Sequence, residues 1–145
     1  MTRWFLALPA LALAAATAAA QPTPEQLHFF ETKVRPVLAE KCYGCHGEKK
    51  QSAGLRLDTA AGVKQGADDG PVLTPGDPAK SRLLKSVRRE GDYAMPPKDA
   101  LPPQAVADLT EWVRMGAPYP ADQAGPKAAA DPAKHWAFQP VKVPD

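Results

Sequence analysis

Cysteine is almost absent from this chain, with two residues in 145. They stand three positions apart, at 42 and 45, too close for a disulfide between them to be a good loop closure. Charge of one sign is lacking as well. Without Arg3, which falls in a leader segment, 17 basic residues face 16 acidic ones, a net charge of +1. Charge on that scale gives little long-range steering towards nucleic acid or acidic lipid. No catalytic triad, carboxylate pair, phosphate-binding loop or nucleic-acid signature stands out. One apolar run is present, Trp4 to Ala16, between Arg3 and the small residues Ala18-Ala19-Ala20. This is the pattern of a signal peptide over residues 1–20, cut near Ala20/Gln21. The run is Ala-rich, interrupted by Pro9 and barely long enough to span a bilayer, so cleavage is favoured over an uncleaved anchor. The expected product is periplasmic or secreted, with no stable membrane insertion.

The two cysteines belong to Cys42-Tyr43-Gly44-Cys45-His46. The spacing C-x-x-C-H is that of covalent c-type haem attachment. If the segment is helical, positions i, i+3 and i+4 share one face. That face can hold two thioether bonds to haem while His46 gives the proximal nitrogen to iron. Other uses of the five residues fit less well. A dithiol redox switch wants a thioredoxin-like strand and helix pattern, which is missing. A zinc site would need a fourth ligand, and His28 and His135 are distant in sequence. Export supports the haem reading, because two thiols in an oxidising compartment are expected to pair or be modified.

Around the motif, Leu27, Phe30, Val34, Val37 and Leu38 recur at helical spacing, predicting a helix over residues 25–41. Pro36 lacks an N–H and should kink or divide it. Residues 47–78 read as loop. Within them Asp58 is the expected N-cap of a short helix ended by Gly66. Leu55-Arg56-Leu57 offers two apolar anchors, and Arg56 is a candidate charge-assisted partner for a haem propionate; an ordinary surface arginine is the alternative. Asp77-Pro78 predicts a helix start, with Leu83, Leu84 and Val87 on its buried face. Five basic residues between Lys80 and Arg89 read as a solvated helix face, the alternative being a partner-docking patch.

Haem held by one histidine leaves a sixth iron position, which a methionine sulfur occupies in some cytochromes. Met95 precedes Pro96-Pro97, which bias it to extended geometry in a stiff loop. Met115 ends the last helix, where packing explains it. Met95 is therefore the candidate distal ligand, the alternative being a gap-filling core methionine. The last helix is expected over 103–115, with Val106, Leu109, Trp112 and Val113 in register, Gly116 as C-cap and no polar cap at Pro102. Residues 120–145 read as an Ala/Pro-rich linker or tail, ending in the apolar stretch His135 to Val141.

Six separated segments then form a pattern. Phe29 to Leu38, Cys42 to His46, Gly54 to Asp58, Pro75 to Pro78, Met95 to Pro97 and Trp112-Val113 resemble the planctomycete-type cytochrome c domain over about residues 25–119. The resemblance implies an all-α, class I cytochrome c-like fold of three to four helices and long loops around one covalent haem c. It implies haem on Cys42 and Cys45, His46 as proximal ligand and Met95 as distal ligand. In that family the domain commonly leads longer secreted proteins, and His135-Trp136-Ala137-Phe138 resembles the joint to them. The expected role is electron transfer with a redox partner protein, without enzymatic activity of its own and without nucleic acid. Two alternatives stand beside it: a haem sensor or catalytic haem site with a labile sixth ligand, and an interaction module working through the tail.

Overall fold

The computed structural model describes residues 21–121. The expected leader and the segment His135 to Val141 lie outside the described residues. Thr23 opens α1 (Pro24–Phe29) with a reciprocal cap. Its N–H donates to Gln26 Oε1 at 2.9 Å and its hydroxyl accepts from Gln26 N at 3.3 Å. Both donors belong to the set that a helix start leaves unpaired, and Pro24 at the first helical position removes a further one.

The rod then changes pitch. A π-turn, Phe30–Val34, joins α1 to α2 (Arg35–Lys41), and the Arg35 N–H reaches back to the Phe30 carbonyl five residues away. Pro36 stands in the first turn of α2. Its missing N–H and its ring, which would crowd the preceding turn, are accommodated by the wider turn. The expected division at Pro36 is thus present as a π-turn. Phe30, Val34 and Leu38 still emerge on one side, all fully buried.

They meet α5 (Pro103–Arg114), which crosses the π-turn and buries Ala105, Leu109, Trp112 and Val113. The Phe30 and Trp112 rings lie 5.9 Å apart. Trp112 also donates its indole N–H to the Pro118 carbonyl at 2.8 Å. No side chain caps α5 at Pro102, as expected. At its other end the Gly116 N–H reaches Val113 O at 3.0 Å and the Ala117 N–H reaches Trp112 O at 2.9 Å. This paired closure needs a left-handed residue, and Gly116 supplies φ +95°.

Two helix starts differ from the sequence reading. α3 (Ala60–Gln65) is capped by Thr59, whose hydroxyl accepts from Gly62 N at 3.0 Å, rather than by Asp58. Asp58 instead receives a two-pronged bond from Arg56, at 2.9 and 2.8 Å. A two-pronged bond between opposite charges outcompetes a capping bond in which only the carboxylate is charged. α4 (Arg82–Val87) starts after Ser81, four residues later than Asp77-Pro78 suggests. Asp77 does cap, but only a turn: its carboxylate accepts from Ala79 N and Lys80 N, both at 3.1 Å. Helix begins where Leu83, Leu84 and Val87 can be buried.

Ser81 links that turn to the loop before it. It is fully buried, accepts from Thr74 N at 2.9 Å and can donate to Asp77 O at 2.9 Å or Thr74 O at 3.2 Å. Ser81→Ala would strand the Thr74 N–H, at an expected cost of about 1–3 kcal/mol. The check is a lower urea midpoint at unchanged slope, which reports stability rather than a change in the denatured state.

Counting α1, the π-turn and α2 as one rod, the described residues hold four helices and no strand. The all-α reading holds. Between the helices run loops whose Leu57, Val72, Leu73 and Leu101 turn inward and join the helical core.

Candidate haem site

α2 delivers the motif and stops one residue before it. Cys42 is the C-cap, with φ −121° and ψ −43°, so the helix ends at Lys41 as expected and residues 42–45 form a turn rather than a further helical stretch. The turn nevertheless keeps one helical closure. The Cys42 and Tyr43 N–H groups both reach Leu38 O at 2.9 Å, and the His46 N–H reaches Cys42 O at 2.9 Å. A side chain at Gly47 would place its Cβ 2.6 Å from the Tyr43 carbonyl oxygen, so the closing turn admits only glycine there.

Both thiols are free. Cys42 is partly buried beside the core and Cys45 is exposed. Burial is the main cause that pushes the Cys42 thiol up to about 11, with Cys45 nearby adding to it. A dithiol oxidoreductase depends on a depressed thiol, so this environment speaks against that chemistry. Among the described residues no three His, Cys, Asp or Glu side chains converge closely enough to hold a bare metal ion. Cys42, Cys45 and His46 are therefore spread along the turn rather than gathered into a zinc cage.

His46 is half-buried, and its Nδ1 is buried without a hydrogen-bond partner. That turns one ring nitrogen inward and leaves Nε2 as the nitrogen available to a metal. The His46 carbonyl accepts from Leu57 N at 2.8 Å. Leu57 O in turn accepts from the Tyr119 hydroxyl at 3.0 Å, and the Tyr119 and Tyr43 hydroxyls are 3.1 Å apart. Burial is the main cause that raises the pKa of both tyrosines, so both remain protonated at neutral pH. The sequence reading missed Tyr119, which lies past the last helix in a proline-flanked stretch.

The loop that follows Met95 shares a cavity with the motif. This cavity, of about 420 Å³, is lined by Lys41 and Cys45 together with Pro96, Pro97, Lys98, Asp99, Ala100 and Pro102. Met95 itself is half-buried and outside the apolar core. Its N–H is held by Ser86 O at 3.0 Å, and Arg89 donates to Pro96 O at 3.0 Å, so α4 fixes where the loop passes. Met115 stands at the end of α5, where its carbonyl accepts from the Gln26 side chain at 3.3 Å. Arg56, the candidate propionate contact, is part-buried in its fork with Asp58. His28 is exposed.

Two alkylatable thiols, an imidazole with one nitrogen available and a space bounded by Cys45 together fit a covalently held haem. Residues 42–99 match the family described as planctomycete cytochrome C. Over that stretch, less than half of the chain, the sequence is similar to the planctomycete cytochrome c family. No curated protein and no solved structure matches the chain. A planctomycete-type cytochrome c domain carries haem, which the free thiols and His46 accommodate. The family match spans the motif, α3, α4 and the Met95 loop; α1, α2 and α5 lie outside it and supply the helical core beneath. No helix among the described residues is long and apolar enough to cross a membrane.

Proposed function

We propose that residues 21–119 form a single-haem electron carrier that works outside the cytoplasm with a separate redox protein. Cys42 and Cys45 would hold the group through thioether bonds, and His46 Nε2 and the Met95 sulfur are the atoms that would bind its iron. When bound, haem supplies one-electron chemistry between two iron oxidation states. The residues of the chain position and insulate. The motif turn is fixed by hydrogen bonds to α2, and the Pro96-Pro97 loop is fixed by α4. Ligands held by two independently anchored segments move little, as a carrier of single electrons requires. A thioether is a soft, weak donor, and a histidine and methionine ligand pair would favour a raised reduction potential. Arg56 would meet a propionate from the loop side, with Asp58 moderating its charge.

The observation that carries this reading is the cavity shared by Cys45 and the loop directly following Met95. The alternative, an open sensing haem, would leave Met95 out of the ligand set. The purified protein in the ferric state should show the weak long-wavelength band of sulfur ligation. Met95→Ala should abolish that band and let small exogenous ligands bind. A native protein that is high-spin and takes up small gases readily would replace the carrier reading with the sensor one.

A further inference from the structure

The ring that links the motif to the end of the domain has a direction. A tyrosine hydroxyl has one proton, and that of Tyr119 goes to the Leu57 carbonyl, 3.0 Å away. The 3.1 Å contact between the two hydroxyls is then donated by Tyr43. Leu57, only 4% exposed, uses its other backbone group to donate to His46 O at 2.8 Å. A closed ring results: His46 to Leu57, Leu57 to Tyr119, Tyr119 to Tyr43, and Tyr43 back to His46 along the chain.

Tyr119 is itself firmly placed. Its ring lies 4.3 Å from that of Phe30 and 6.5 Å, edge-on, from that of Trp112, with the Arg35 guanidinium 5.8 Å from its centre. The preceding residue is tied to the core through the Trp112 indole bond. A ligating histidine ordinarily has its plane fixed by a hydrogen bond from its second nitrogen. His46 Nδ1 is buried and makes none. The orientation of the imidazole must then come from the backbone that carries it, and the ring holds that backbone.

We infer that Tyr119, acting through Leu57 and Tyr43, is a positioning residue for His46 that does the work usually left to a hydrogen bond on the imidazole. This inference rests on the proposed haem ligation. Tyr119→Phe removes the donor to Leu57 O and leaves the Tyr43 hydroxyl without its acceptor. Tyr43→Phe removes only the outer link. A looser imidazole donates less to ferric iron, so the reduced state should gain.

The test compares the haem-bearing full chain with both variants. Two readouts are followed: the hyperfine-shifted haem-methyl resonances, whose spread follows the plane of the axial imidazole, and the reduction potential. Tyr119→Phe should displace the methyl resonances. It should also move the ferric-to-ferrous equilibrium about threefold towards ferrous, ~28 mV at 59 mV per tenfold for one electron. Tyr43→Phe should give a smaller displacement in the same direction. If Tyr119→Phe yields no folded protein, Tyr43→Phe decides alone. Folded variants with the wild-type methyl pattern and potential would overturn the positioning role and leave the carrier reading intact. A wild type that carries no haem would overturn both.

Discussion

Replacing Cys42 and Cys45 together by serine is expected to give a colourless protein, with haem retained after denaturation falling from stoichiometric to nil. A serine hydroxyl does not replace the thiolate nucleophile that thioether formation requires. The two thiols are not equivalent, since Cys42 packs against the core and Cys45 lines the cavity facing the Pro96-Pro97 loop. Each single variant should therefore retain pigment through the other bond, in lower yield, and the Cys42→Ser protein should also lose stability by placing a hydroxyl beside apolar neighbours. The double variant keeps His46 and Met95 and so separates covalent attachment from ligation. Pigment that survives denaturation in the double variant would show that these sulfurs are not the anchors.

The second large effect lies in the core. Trp112→Ala should cost about 3–5 kcal/mol, the range for removing a large buried aromatic. Trp112 is fully buried beside Phe30 and Tyr119, and its indole N–H holds the Pro118 carbonyl. A domain of this size has a total stability of about 5–15 kcal/mol. The substitution would therefore bring the fold close to its limit. Trp112→Phe keeps most of the packing but leaves the Pro118 carbonyl unpaired, which should cost about 1–3 kcal/mol. Chemical denaturation of the haem-bearing protein, followed at the haem band and by far-ultraviolet dichroism, measures both. A wild-type midpoint for Trp112→Ala would contradict the place given to this residue.

What the sequence discloses follows from how locally each feature is encoded. The crossing of Phe30, Val34 and Leu38 with Leu109, Trp112 and Val113 is visible because a helical stripe repeats over a few residues. The division of the first helix is visible because Pro36 acts on its own turn. The cysteines and His46 are visible because one turn contains them all. Met95 is visible as a candidate ligand, but the passage of its loop beside the cavity that Cys45 lines depends on Ser86 and Arg89, residues of or just after α4.

Other features are settled by competition between distant groups. Asp58 carries the better capping side chain, yet its partner is Arg56 and Thr59 takes the cap. Ser81 gives no signal of burial in a stretch rich in lysine and arginine, because its partners Thr74 and Asp77 belong to a turn. Leu57, Val72, Leu73 and Leu101 enter the core from loops without any repeat to reveal them. The pairing of Tyr43 with Tyr119 spans 76 positions, and no local pattern links them.

The proposed function requires one porphyrin joined covalently to this chain. Intact mass spectrometry of the purified protein under denaturing conditions decides it. The expected chain is heavier by the mass of a single haem, with that addition mapping to the peptide containing Cys42 and Cys45. A chain at its bare polypeptide mass, with both sulfurs free or joined to each other, would contradict it.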